Sequence, residues 1–242
     1  LMNHPVLLKA EKLIRVGDIV GAEAALVSLV ESEGDDALVV ALDDFPAKDL
    51  LAVLRDFDSS RESVVNLLVS PEKFARAIVL EQRYGDRSHE RLHGMINSVV
   101  FRAGGDPGEF LEAIGEIEGG SETLADYFCE RAEAIEHFFR TATFDFFADA
   151  DEGTDELSDE ERLDLLSDSD ANRPFLNHSE VNDHDWMELA WTLRYQHPEI
   201  FREVLLILRA RARAEEGQAA GVEQPSSAEQ RPPAGQEEES AL

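Results

Sequence analysis

Residues 35–82 read DDALVVALDDFPAKDLLAVLRDFDSSRESVVNLLVSPEKFARAIVLEQ, and this stretch decides the fold. Short amphipathic phrases follow one another in it, each opening on a polar residue or a proline. They start at Asp35 (DDALVVAL), Pro46 (PAKDLLAVLRDF), Ser59 (SSRESVVNLLV) and Pro71 (PEKFARAIVLEQ), with a forerunner at Gly21 (GAEAALVSLV). The starts lie 14, 11, 13 and 12 residues apart, too close for a strand plus a helix and right for a short helix plus a tight turn. Pro46 and Pro71 suit the first turn of a helix, where no intrahelical N–H is lost, and Ser59 and Ser70 are candidate N-caps. Within each phrase the apolar residues, such as Leu50, Leu51 and Leu54 or Phe74 and Ile78, recur every three to four positions and need a neighbouring unit to cover them. Ala37 to Leu42 has the β-branched content of a buried strand, but no second alternating run exists to pair with it, so it is read as helix. The predicted fold is all-α: short helical-repeat hairpins of an α-superhelical, HEAT-like kind, followed by a helical bundle and a disordered C-terminal tail.

Outward from the repeats, the N-terminal LMNHPVLLKAEKLIRVGD has helically spaced apolar residues interrupted by Lys9, Glu11, Lys12 and Arg15, unlike a secretory signal. From Tyr84 the character changes. Gly85 breaks the run, a helix over about 87–102 stops at Gly104-Gly105-Asp106-Pro107, and another over about 108–117 stops at Gly119-Gly120. A long helix is expected from about 122 to 147, with Phe128, Ile135, Phe138 or Phe139, and Phe146 along one side as a core ridge. Residues 145–170 hold twelve acidic side chains and one arginine, Arg162, with a capping-box start at Ser158. A final helical pair is announced by SEVNDHDWMELAWTLRYQ and HPEIFREVLLILRARARA, the second opened by Pro198. After Gly217 almost nothing is apolar, the composition of a disordered tail. The expected organisation is a repeat region at 1–83, a bundle at 84–150, an acidic linker with a short helix at 151–179, a helical pair at 180–216 and the tail at 217–242.

The chain of 242 residues is 43% hydrophobic, enough for a sizeable core. Its net charge of −30 comes from 52 acidic residues against 22 basic ones. Such a field repels nucleic acid and anionic lipid and favours basic protein surfaces or divalent cations. It also serves solubility. One cysteine, Cys129, excludes a disulfide framework. No apolar run approaches the roughly 20 residues that cross a bilayer. A cytoplasmic location without membrane insertion is the expectation.

Three constellations could carry chemistry. His89-Glu90-Arg91-Leu92-His93 is an HExxH, which on a helix places two imidazoles one turn apart for one zinc ion and a glutamate as general base. It resembles the motif of zincin-type metallopeptidases. The thermolysin-like branch implies a third ligand about twenty residues downstream, where Glu112 stands, and an orienting carboxylate one turn later, near Glu116. The plainer reading makes Leu92, Ile96 and Val99 core, with the histidines flanking them. Second, Asp149, Asp151, Asp155 and Glu160 echo the ligand positions of a calcium-binding EF-hand loop, although Gly153 and Thr154 depart from its pattern at the fifth and sixth places. Third, His178, Glu180, Asp183, His184 and Asp185 precede Trp186, where transition-metal ligands and helix caps are both possible and the cap is the simpler reading. No resident cofactor is expected; zinc, or calcium and magnesium, enter only through these alternatives.

The stretch ALDDFPAKDLLAVLRDFDSSRESVVNLLVSPEKFARAIVLE resembles the helical repeats of the intracellular N domain of MgtE-type magnesium transporters. That resemblance, over residues about 35–80, implies a small acidic superhelix that packs near a regulatory domain and takes part in magnesium sensing. The family's transmembrane and regulatory parts have no counterpart here, so transport does not carry over. The sequence therefore reads as a non-catalytic acidic scaffold that binds a protein partner with a basic surface. A zinc hydrolase using His89, His93, Glu112 and Glu90, and a divalent-cation-responsive regulator, are the alternatives.

Overall fold

A computed structural model describes residues 4–55, 63–85, 89–146, 158–166 and 185–222, and these are all-α, with no strand among them. The helices are α1 (Pro5–Arg15), α2 (Ile19–Glu33), α3 (Asp35–Asp44), α4 (Ala47–Arg55), α5 (Val64–Leu68), α6 (Pro71–Tyr84), α7 (Glu90–Val100), α8 (Pro107–Gly115), α9 (Gly120–Phe128), α10 (Ala132–Thr141), α11 (Asp159–Leu165), α12 (Trp186–Gln196) and α13 (Pro198–Val222). No helix of the described residues is long and apolar enough to cross a membrane.

The starts follow from local chemistry. Prolines open α1, α6, α8 and α13. Side chains of Asp18, Ser63, Ser70, Asp106, Ser158 and Asp185 accept from backbone N–H groups of the first turns of α2, α5, α6, α8, α11 and α12. Ser158 and Glu161 form the reciprocal capping box. Ser70 caps as expected. Pro46 stands one place earlier than expected, as the cap whose carbonyl receives the first bonds of α4, from Asp49 and Leu50. Ser59 lies outside the described residues, and Ser63 does the capping of α5. Residues 37–42 are helical.

Three expectations are corrected. The helix read as 87–102 has its described helical residues at Glu90–Val100, with His89 before it. The long helix read as 122–147 is broken: α9 ends at Phe128, a 3₁₀ turn occupies Cys129–Arg131, and α10 ends at Thr141 on Ala142, whose φ is 60°. The break frees two different packing demands. α9 is buried on nearly every side, from Gly120 to Phe128, whereas α10 buries only Ile135, Phe138 and Phe139. A 3₁₀ turn re-aims the axis without needing glycine or proline. Phe146, expected on the ridge, is exposed. Finally, α13 runs through Gly217 and Gly221 to Val222, although each glycine carries a penalty of about 1 kcal/mol in a helix.

The helices from the N-terminus to Leu208 form one compact unit. α1 packs on α2, α2 on α3 and α4, α4 on α6, and α6 on α7, α8 and α9, while α12 packs on α8. Leu26, Phe45, Leu54, Phe74, Phe110, Phe128, Phe138 and Phe201 sit in one continuous hydrophobic cluster. The α8–α9 turn is so tight that a Cβ on Gly120 would stand 1.6 Å from the carbonyl oxygen of Ile114. Only glycine fits there. The second unit, Arg209–Leu242, is described as helix through Val222.

Basic side chains hold the carbonyl ends of the short helices. Lys73 Nζ donates to Asp43 O at 2.8 Å, at the end of α3, while Ser70 Oγ holds the Asp43 carboxylate at 2.9 Å. Arg102 Nη1 donates to Val69 O at 2.7 Å and Asn66 O at 3.3 Å, closing α5, and its guanidinium lies 4.7 Å from the Phe110 ring centroid. The end of α10 is held twice, by Arg194 donating to Phe138 O and by Arg162 donating to Arg140 O at 3.0 Å. Past α8, Arg83 Nη2 reaches Glu118 O at 3.3 Å. The last carbonyls of a helix lack intrahelical partners and carry partial negative charge, so a cation there satisfies both needs. Lys73 is 8% exposed. Burial pushes its pKa down, as does Arg76, against the upward pull of Asp43 and Asp44.

Replacing Arg102 with alanine should lower stability by about 2–3 kcal/mol, because it strips charge-assisted bonds from two half-buried carbonyls and a stacked guanidinium from Phe110. Lys48→Ala, which removes an exposed pair with Asp49, should change stability by less than about 1 kcal/mol. Urea unfolding of both variants measures the contrast.

Candidate functional site

The second histidine of the HExxH leads to a buried polar group. His93 lies on α7, and its Nε2 is enclosed without a hydrogen-bond partner. Its ring meets Tyr127 of α9 edge-on, with centroids 4.9 Å apart. Asn97, one turn after His93 on the same helical face, accepts the Tyr127 hydroxyl hydrogen at Oδ1, 2.6 Å away. Asp185, the N-cap of α12, accepts from Met187 N at 2.9 Å and is close enough for its charge to act on Tyr127. Burial pushes the Tyr127 pKa up well beyond the usual phenol range, Asp185 adds to the rise, and the bond to Asn97 opposes it. Tyr127 is therefore held as a neutral donor, and His93 Nε2 is the one ring atom of the group without a partner.

The zinc geometry predicted for the HExxH does not form. His89 stands at the N-cap of α7 with φ 55°, in the left-handed region, and makes no capping bond. His89 therefore stands outside the regular helix that carries His93, although its carbonyl still accepts from His93 N at 2.9 Å. Glu90 and Glu112 are exposed, as is Glu116. Among the described residues no group of three or more His, Cys, Asp or Glu side chains is gathered to hold a metal ion. His89, His93 and Glu112 are thus not brought together. Of the EF-hand-like set, Asp149, Asp151 and Asp155 lie outside the described residues, and Glu160 is exposed in the first turn of α11. His178, Glu180, Asp183 and His184 also lie outside them, whereas Asp185 takes the cap role.

A second polar group sits in the aromatic cluster where α10, α12 and α13 meet. Phe138 stacks on Phe144 at 4.2 Å and meets Tyr195 and Phe201 edge-on, each at 6.3 Å. Trp191 lies 5.0 Å from Tyr195 and Trp186 5.3 Å from Phe144. Into this cluster projects Arg194, 4.8 Å from the Phe138 centroid and 5.4 Å from that of Tyr195. Burial pulls the Arg194 pKa down, with Tyr195 pulling the other way. Burial pushes Tyr195 up, and Arg194 opposes it. Neither Tyr127 nor the Arg194–Tyr195 pair was singled out by sequence pattern: tyrosine beside phenylalanine in a core ridge looks like packing alone. The adjacency of Arg194 and Tyr195 ahead of a proline-opened helix was their one visible trace.

Comparison of the chain with protein-family models, with curated proteins and with solved structures returns no match. The arrangement of its residues is accordingly the basis for any functional reading.

Folding raises the pKa of both buried tyrosines, so their contribution to stability is present below the unfolded phenol value of about 10 and is lost as pH rises above it. Alkaline titration followed by phenolate absorbance should show two of the three tyrosines ionising only with unfolding. Tyr127→Phe should destabilise by about 1 kcal/mol, having stranded Asn97 Oδ1, whereas Tyr195→Phe, which removes a hydroxyl with no partner, should leave the urea midpoint unchanged or raised.

Proposed function

We propose that the chain is a non-catalytic acidic helical module that binds a protein partner through that partner's basic surface. The observation that carries this reading is how the few cations are used. Arg55 is paired with the buried carboxylate of Glu81, Arg140 with Glu136 and Arg83 with Glu118. Lys73, Arg102, Arg162 and Arg194 are turned onto backbone carbonyls. Arg140 and Arg83 neutralise one surface carboxylate each, but the cations turned onto carbonyls and Arg55 do not, and Asp35, Asp36, Glu90, Glu112 and Glu116 stand exposed. A surface of one sign accelerates and orients encounter with the opposite sign and discourages nucleic acid and anionic lipid. The helices between residues 19 and 84 pack on neighbours one to three places along the chain. The resemblance of residues about 35–80 to the N domain of MgtE-type transporters agrees with this, because that domain works by packing near another domain.

Immobilised protein should retain from a cell extract one stoichiometric partner of net positive charge, eluting between about 0.1 and 0.5 M salt as the Debye length falls from about 10 Å to a few ångströms. An unrelated helical protein of equal net charge should not retain it. Identical eluates from the two columns would refute the reading and leave solubility as the role of the charge.

A further inference from the structure

We infer that the outer side of α1, α2 and α3 is the interface through which two copies of this chain pair. The starting observation is a helix with too little charge on its exposed side. Residues 19–30 of α2, IVGAEAALVSLV, hold a single charged side chain, Glu23, in a chain of which 31% is charged. One side of α2 buries Ala22, Ala25, Leu26 and Leu29. Val20, Ala24 and Ser28 recur every four residues along another side and are exposed. The Ser28 hydroxyl donates to Ala25 O at 2.6 Å within the helix, so this ridge offers almost nothing polar outward. A helix that is apolar all round is ordinarily covered all round.

The neighbours of α2 place this ridge in the middle of a wider face. α2 packs on α1 and α3, α1 also packs on α4, α3 on α5, and α2 on both α4 and α5. α1, α2 and α3 thus form a layer over α4 and α5, and their exposed residues lie on its far side. Of the eight large hydrophobic side chains exposed among the described residues, four belong here. They are Leu8 on α1, Val16 just after it, Val20 on α2 and Val40 on α3, the valines being 77%, 59% and 68% exposed. Charge is sorted on either side of the ridge. Lys9, Lys12 and Arg15 stand exposed along α1, unlike Lys73 and Arg102, which are turned onto carbonyls. Asp36 and Asp44 stand exposed one turn to each side of Val40 on α3.

A face that is positive at one edge, uncharged in the middle and negative at the other edge is complementary to itself. A two-fold axis running along α2 lays ridge on ridge and sets the cations of each α1 over the carboxylates of the other copy's α3. A partner of uniform charge would meet its own sign at one edge. Three helices of 11, 15 and 10 residues are available. Side by side they cover roughly 20 by 28 Å, close to the roughly 600 Å² per partner at which specific interfaces begin. At about 0.15 M salt the Debye length is about 8 Å, so repulsion from the rest of the acidic surface is damped while contacts inside the interface are kept. The pairing does not rest on the proposed basic partner, whose binding needs no second copy.

Sedimentation equilibrium of the full chain in sodium chloride tests the pairing. Between about 5 and about 200 µM the mean mass should rise from that of one chain towards that of two. Ala24→Glu changes an exposed position where glutamate suits a helix, so the urea midpoint should hold, yet it sets two carboxylates against each other on the axis and should leave the protein monomeric. Lys9→Glu with Lys12→Glu, and separately Asp36→Lys with Asp44→Lys, should each weaken association at least about tenfold. An equimolar mixture of these two variants should pair again, because opposite charges then meet at both edges. The inference is overturned if the unaltered chain stays monomeric, if Ala24→Glu pairs as the unaltered chain does, or if the folded charge-reversed variants fail to pair when mixed.

Discussion

The scarcity of cations in a chain built from short helices is the constraint on which the structure depends. Each helix leaves its last carbonyls without intrahelical partners, and a fold of many short helices multiplies such ends. Left-handed glycines, Gly17, Gly34, Gly104 and Gly119, follow α1, α2, α7 and α8. Lys73 at α3, Arg102 at α5, and Arg194 with Arg162 at α10 close others from a distance in sequence. Each of these bonds joins elements that are far apart in the chain: Arg194 lies 56 residues beyond Phe138 and Arg102 lies 33 beyond Val69. The bonds therefore fix tertiary placement as well as helix length. With 22 basic residues against 52 acidic ones, cations that serve inside the fold are not available to neutralise its exterior.

Much of the fold was legible because local rules governed it. The Pro and Ser starts at 70–71, the Ser158 capping box, the helix at 37–42 and the Pro198 opening all depend on contacts within four residues, and these could be read directly. The break at Cys129–Arg131 was not legible. No glycine or proline marks it, and it arises because α9 is enclosed on nearly all sides while α10 has a solvent face, a distinction set by tertiary packing. The position of His89 was missed for a related reason. Its spacing to His93 promised one helical face, but the helix begins at Glu90, so a single residue's conformation dissolves the motif.

The two polar groups of the interior show where sequence reading fails by nature. His93, Asn97, Tyr127 and Asp185 come from three elements, and only the His93–Asn97 spacing is visible within four residues. Tyr195 next to Arg194 is visible in the sequence, yet only burial makes either one unusual. Within the HExxH, His93 is half-buried with its Nε2 enclosed beside Tyr127.

With 52 acidic residues against 22 basic ones, screening should relieve surface repulsion while hardly touching the half-buried bonds from Lys73 and Arg102 to helix-end carbonyls. The direct measurement is the urea midpoint of the full chain as sodium chloride is raised from about 20 mM to about 500 mM, a range over which the Debye length falls from roughly 20 Å to a few ångströms. The midpoint should rise steadily with salt. A midpoint that falls would mean that exposed ion pairs hold the structure together, and would contradict the account.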